Sequence, residues 1–94
     1  MAFSTNLAPA LSTSDQTNAT VAVSPDGRIF YTWWRIGEVG PAWREIDGGG
    51  HTDAAPVASL TGEHLLVIVK GLDGHLYFNQ GKLGSTFVGW QRME

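Results

Sequence analysis

Aromatic side chains interleaved with polar ones are the residues here best suited to chemistry, and that chemistry is stacking and hydrogen bonding. In Phe30-Tyr31-Thr32-Trp33-Trp34-Arg35-Ile36, an extended chain puts Tyr31, Trp33 and Arg35 on one face and Phe30, Trp34 and Ile36 on the other. An indole stacks on the apolar C–H face of a pyranose, while nearby Arg, His, Asn or Gln groups hydrogen-bond the hydroxyls. The competing use of such rings is to fill the space between packed sheets. Trp43 and Trp90 occupy equivalent places in an internal repeat and suit that structural use. Trp33 and Trp34 are replaced by Gln80 and Gly81 in the second copy, so packing alone does not demand them and a ligand role competes on equal terms.

Bond-making chemistry has little to work with. No G-x-S-x-G occurs, Gly81-Lys82 runs into Leu83 where a phosphate loop needs Ser or Thr, and Gly48-Gly49-Gly50 runs into His51. His51, His64 and His75 are too widely spaced to share one helix or hairpin face, so they read as surface or turn residues rather than a metal site. Asp47, His51 and Asp53 share a glycine-rich connection and could converge on a cation, but such residues also support turns, which is the reading adopted. Glu38, Glu45 and Glu63 could supply a glycosidase pair, yet nothing in one copy echoes the other. Asn18-Ala19-Thr20 fits the glycosylation sequon but leads into an expected buried strand. The sequence therefore predicts a protein that is not an enzyme and needs no cofactor or metal.

These residues are positioned by a chain that repeats itself once. A shift of 47 positions lays Ala8-Pro9 on Ala55-Pro56, Ser12 on Ser59, Asp26-Gly27 on Asp73-Gly74, Gly37 on Gly84 and Trp43 on Trp90, filling all 94 residues. A period of this size belongs to stacked supersecondary units, among which four-stranded propeller blades run at roughly 40 to 50 residues. Each copy holds four apolar stretches divided by turn chemistry: 7–11, 19–23, 28–36 and 42–46, then 54–60, 64–70, 75–83 and 87–93. With 12 glycines and no long helical pattern, almost no helix is expected. Leu65-Leu66-Val67-Ile68-Val69 does not alternate, which predicts a strand covered on both faces.

Side chains also grow outward along each copy, from Ala8, Ala10, Ala54 and Ala58 to Trp33, Trp34, Trp43, Phe87 and Trp90. Wedges packed around an axis need this taper. The expected fold is all-β, with a first propeller blade in 1–47 and a second in 48–94. Two blades cannot close a ring, and each end would expose ~500 to 800 Å² of sheet, more than a soluble monomer usually leaves apolar. Head-to-tail association of identical chains follows, with three chains giving six blades as the leading expectation, and with four chains giving eight, or a piece of a longer propeller, as the alternatives.

Bulk properties narrow the partners. A net charge of −3, a pI near 5.5 and no Lys/Arg cluster exclude the electrostatic footprint of a nucleic-acid binder. No apolar run approaches the ~18 residues that span a bilayer, and the first residues lack a signal-peptide pattern, so a soluble chain is expected. With no cysteine, stability has to come from packing.

Three segments together carry a family resemblance: Ala55-Pro56-Val57-Ala58, then Val67 to Tyr77 through Lys70-Gly71-Leu72-Asp73-Gly74-His75-Leu76, then Phe87-Val88-Gly89-Trp90. They resemble the blade of the Photorhabdus-lectin-like (PLL-like) β-propellers. The first copy is similar through Ala8-Pro9, Ser24 to Phe30 and Trp43 to Gly49. The resemblance implies a lectin that takes fucose or related sugars in pockets at or between blades. It puts Trp33 and Gln80 at one family site position and Trp43 and Trp90 at the closing Trp. Gly40 stands where an earlier Trp is expected, Gln80-Gly81 lacks the aromatic, and the Arg-and-Glu pair of Aleuria-type fucose pockets has no match. The candidate sugar-binding set is Tyr31, Trp33, Arg35, Trp43, His75, Tyr77, Gln80 and Trp90, with glycans and sister chains as partners. The rival reading is a scaffold or protein-interaction propeller in which the aromatics only pack.

Overall fold

The computed structural model describes residues 2–4, 6–40 and 42–94. They form two four-stranded antiparallel meanders and no helix, in agreement with the all-β expectation. The first sheet runs β1 (Ala10–Ser14), β2 (Thr17–Val23), β3 (Ile29–Arg35) and β4 (Arg44–Glu45). The second runs β5 (Val57–Thr61), β6 (His64–Lys70), β7 (Leu76–Lys82) and β8 (Gln91–Arg92).

Turn chemistry repeats as closely as the strands do. Gly27 N donates to Ser24 O and Gly74 N to Gly71 O, both at 2.9 Å, with φ of 89° and 86° at the two glycines. These left-handed conformations are the reason an Asp-Gly pair closes each hairpin. Ile36 N to Gln16 O recurs as Leu83 N to Glu63 O, both 2.8 Å.

The expected first strand, 7–11, sits three residues too early. Ser12 and Ser14, whose polarity suggested a turn, lie within β1, because their hydroxyls face the second sheet and accept its amides: Leu60 N at 2.9 Å and Gly62 N at 2.8 Å. The outermost strands are shorter than the expected 42–46 and 87–93. Side chains take over amides that a longer ladder would use, with Phe87 N donating to Asp47 Oδ2 at 2.7 Å and Gly89 N to Asn79 Oδ1 at 2.9 Å.

One core joins the sheets. Ala19, Val21, Ile29, Tyr31 and Ile46 from the first pack against Leu60, Leu65, Val67, Val69, Leu83 and Phe87 from the second. Register places Tyr31 and Trp33 on the packed face of β3, with Phe30 and Trp34 on the opposite one, as period-two alternation requires. The β6 run behaves differently from the expectation of two covered faces. Leu65, Val67 and Val69 are buried, whereas Leu66 and Ile68 are half-buried on the outward side, so a single chain covers one face only.

Candidate functional site

The segment after β4 makes the site possible. Gly48 and Gly49 take φ of 106° and 64°, and Gly50 presses on the Trp90 indole so closely that a Cβ there would stand 2.7 Å from Trp90 Cε2. A Cβ at Gly48 or Gly50 would collide with the ring, whereas Gly49 has open space around it and is favoured as glycine by its left-handed φ alone. Across from Trp90, Gly71 lets the Tyr77 ring lie against the backbone, since a Cβ would be 2.6 Å from Tyr77 Cε1. Between the two rings opens a cavity of about 360 Å³, walled by Trp90, Tyr77, Val69 and Leu72 and edged by Asp73 and His51. That volume falls within the range of small-ligand pockets, which combine apolar walls with a few polar groups.

The polar edge is organised by hydrogen bonds. Tyr77 Oη donates to Asp73 Oδ2 at 2.6 Å and His75 N to Asp73 Oδ1 at 3.0 Å. The Tyr77 hydroxyl, then the His75 amide, hold the Asp73 carboxyl below its ordinary range, and the same carboxylate pushes the Tyr77 phenol up. Beyond it, Arg92 Nη2 lies 2.9 Å from His75 Nδ1, and Glu94 Oε1 accepts from Leu76 N at 3.1 Å. The Leu76 amide, then the His75 ring, draw the Glu94 carboxyl down. The indole Nε1 of Trp90 is buried and meets no acceptor among the described residues.

The corresponding place in the first sheet is filled. By the 47-residue shift, Phe3 answers to Gly50, Phe30 to Tyr77 and Trp43 to Trp90. The Phe3 ring lies 4.5 Å from Trp43 and 6.1 Å from Phe30, centroid to centroid. A second cavity, of about 330 Å³, borders the first through His51 and Leu72 and is edged by Ser4, Asn6, Asp26 and Asp53.

Of the residues singled out from the sequence, Tyr77 and Trp90 line the first cavity, and His75 stands beside it in the Asp73–Arg92–Glu94 group. The others lie elsewhere. Tyr31 is a core residue, 1% exposed, with its ring 5.0 Å from Phe87 and its hydroxyl accepting from Gly84 N. This burial removes it from any groove. Trp33 is half-buried against Gly84, Trp43 stacks with Phe3, Arg35 is exposed 3.9 Å from Glu63, and Gln80 pairs with His64 at 2.9 Å. Sequence reading took Asp73 and His51 as turn residues and gave the glycines 48, 50 and 71 no part in a ligand site. The signal available for them was the Gly48-Gly49-Gly50 run between two aromatic-rich copies, and an Asp four residues before an aromatic.

Asp47, His51 and Asp53 do not converge. Asp47 caps Phe87 N, Asp53 pairs with Lys70 at 2.7 Å, and His51 Nδ1 lies 3.1 Å from Gly49 O. No cluster of three potential metal ligands occurs among the described residues. No family model and no curated protein matches the chain.

Proposed function

We propose that the chain is a carbohydrate-binding subunit, a PLL-like lectin whose two sheets are blades of a β-propeller completed by sister copies. The observation that carries the binding reading is the open cavity between Tyr77 and Trp90. Its apolar ring walls suit the C–H face of a fucose-like or related monosaccharide, and Asp73 and His51 supply polar contacts for hydroxyls. Such a cavity, weak as a single site, becomes strong by repetition around a ring. Three chains and six blades remain the favoured count.

Assembly is supported by residues that are equivalent in the repeat but unequal in exposure. Ile29 and Ile46 are each 1% exposed where the second sheet covers them, whereas their counterparts Leu76 and Met93 are 43% and 48% exposed. In the other direction, Leu83 is 6% exposed and its counterpart Ile36 is 63% exposed. At these positions each sheet exposes a side chain that its twin buries, as expected of units that stack in one direction.

A glycan array of the assembled protein, followed by calorimetry with the monosaccharide it identifies, tests the binding reading. Binding should be lost in Trp90→Ala and in Tyr77→Ala while the oligomeric mass is retained. Absence of any glycan binding, or binding indifferent to both substitutions, overturns it. The second reading is a scaffold or interaction propeller, favoured by Tyr31, Trp33 and Trp43 being packed against protein. It predicts an intact ring with a blank array.

A further inference from the structure

The seam inside one chain carries enough detail to specify the junction between two. Within the chain, hydroxyls on β1 accept amides from β5 and the turn after it: Ser12 from Leu60 N and Ser14 from Gly62 N. The 47-residue shift turns these acceptors into Ser59 and Thr61, both hydroxyl residues and both exposed on the outward face of β5. The donors become the amides of Thr13 and Asp15. Asp15 holds φ at 52° where Gly62 has 60°, so the same left-handed turn is kept by a residue that rarely adopts it.

The aromatic contact at the seam has a counterpart as well, with its bulk moved from one strand to another. Tyr31 packs on Phe87, whose ring sits over Gly81: a Cβ on Gly81 would be 2.9 Å from Phe87 Cγ. The shifted positions are Trp34 for Gly81 and Gly40 for Phe87, and a Cβ on Gly40 would be 3.3 Å from Trp34 Cβ. A ring beside a glycine is therefore present on both receiving faces. The ring that would press on it, equivalent to Tyr31, is Phe78, half-buried on the outward face of the second sheet.

We infer that copies join head to tail in the register of the internal seam, with Ser59 and Thr61 of one chain accepting the Thr13 and Asp15 amides of the next. Phe78 of the first then packs on Trp34 of the second, which makes Trp34 an assembly residue rather than a sugar platform. This rests on the ring reading above and adds the pairing that the ring must use.

The chain has no cysteine, so a Thr13→Cys, Ser59→Cys double variant reports the junction directly. Within one chain these two residues face opposite outer sides and cannot bridge. Under mild oxidation the variant should give covalent multimers ending in a closed ring on a non-reducing gel. Trp34→Ala should raise the concentration at which the assembly dissociates about tenfold or more, as for a buried interface aromatic, with its β-sheet circular dichroism retained. A monomeric mass at every concentration sinks both the ring and this junction. An oligomer that neither cross-links through these cysteines nor responds to Trp34→Ala leaves the ring standing and overturns the register.

Discussion

Asn79→Ala probes how much of the fold depends on one buried side chain, which bonds the backbone of both copies. Asn79 is 0% exposed. Its amide donates to Asp47 O at 2.7 Å, and its carbonyl accepts from Gln80 N at 2.8 Å and Gly89 N at 2.9 Å. Alanine removes the only groups that this side chain offers to three backbone atoms. Each buried backbone group stranded in this way costs roughly 1 to 3 kcal/mol, and because Gly89 and Asp47 can recover some water the total falls near ~3 to 5 kcal/mol. A domain of this size has about 5 to 14 kcal/mol to lose, so the variant should be marginal. At roughly 4 °C or more per kcal/mol, the melting midpoint should drop by at least ~12 °C. Urea unfolding followed by tryptophan fluorescence, at two protein concentrations, separates loss of fold from loss of assembly. Asn79→Asp adds a sign test. It keeps the acceptor but buries a carboxylate, whose pKa burial raises above the unfolded value. Its stability should be greatest at low pH, where the acid is neutral and can donate to Asp47 O, and should fall as pH rises through the folded-state pKa. A loss below ~1 kcal/mol in Asn79→Ala, or Asn79→Asp growing more stable with rising pH relative to wild type, would show that these hydrogen bonds do not hold the fold.

Tyr77→Phe removes the hydroxyl that contributes most to lowering the Asp73 pKa, so that pKa should rise toward its ordinary value in a carbon-detected NMR titration. The sign follows from the depression: the contact helps the folded state above the usual carboxylate range and is lost as pH falls through the folded pKa. An unmoved Asp73 titration would remove Tyr77 as its cause. Phe3→Gly should open between Phe30 and Trp43 the space that Gly50 leaves between Tyr77 and Trp90. Calorimetry should then count a second monosaccharide per chain, and an unchanged count would show that the plug does not set site number.

The residues explain where sequence reading succeeded and where it stopped. Hairpins at Asp26-Gly27 and Asp73-Gly74 were legible because a left-handed turn position admits few residue types, so composition reports conformation. The start of β1 was not legible, because Ser12 and Ser14 are polar for a reason that lies far along the chain, in the amides of Leu60 and Gly62. The site divided along the same line. Tyr77 and Trp90, both in the candidate set, line the cavity, but Tyr31 looked equally suitable until its ring was seen packed on Phe87.

The period, the strand-turn rhythm, the lack of helix among the described residues and the alternation that sends Tyr31 and Phe30 to opposite faces are all written along the chain. These follow from local rules of backbone and turn chemistry, which act over a few residues. Tertiary structure alone decided which of two equivalent pockets is open, because that depends on whether Phe3 or Gly50 arrives beside a tryptophan. It also decided at which equivalent positions a side chain is buried within the chain and at which it is exposed. Burial is a relation between distant segments, and two copies with nearly the same local code acquire different surroundings only when they pack.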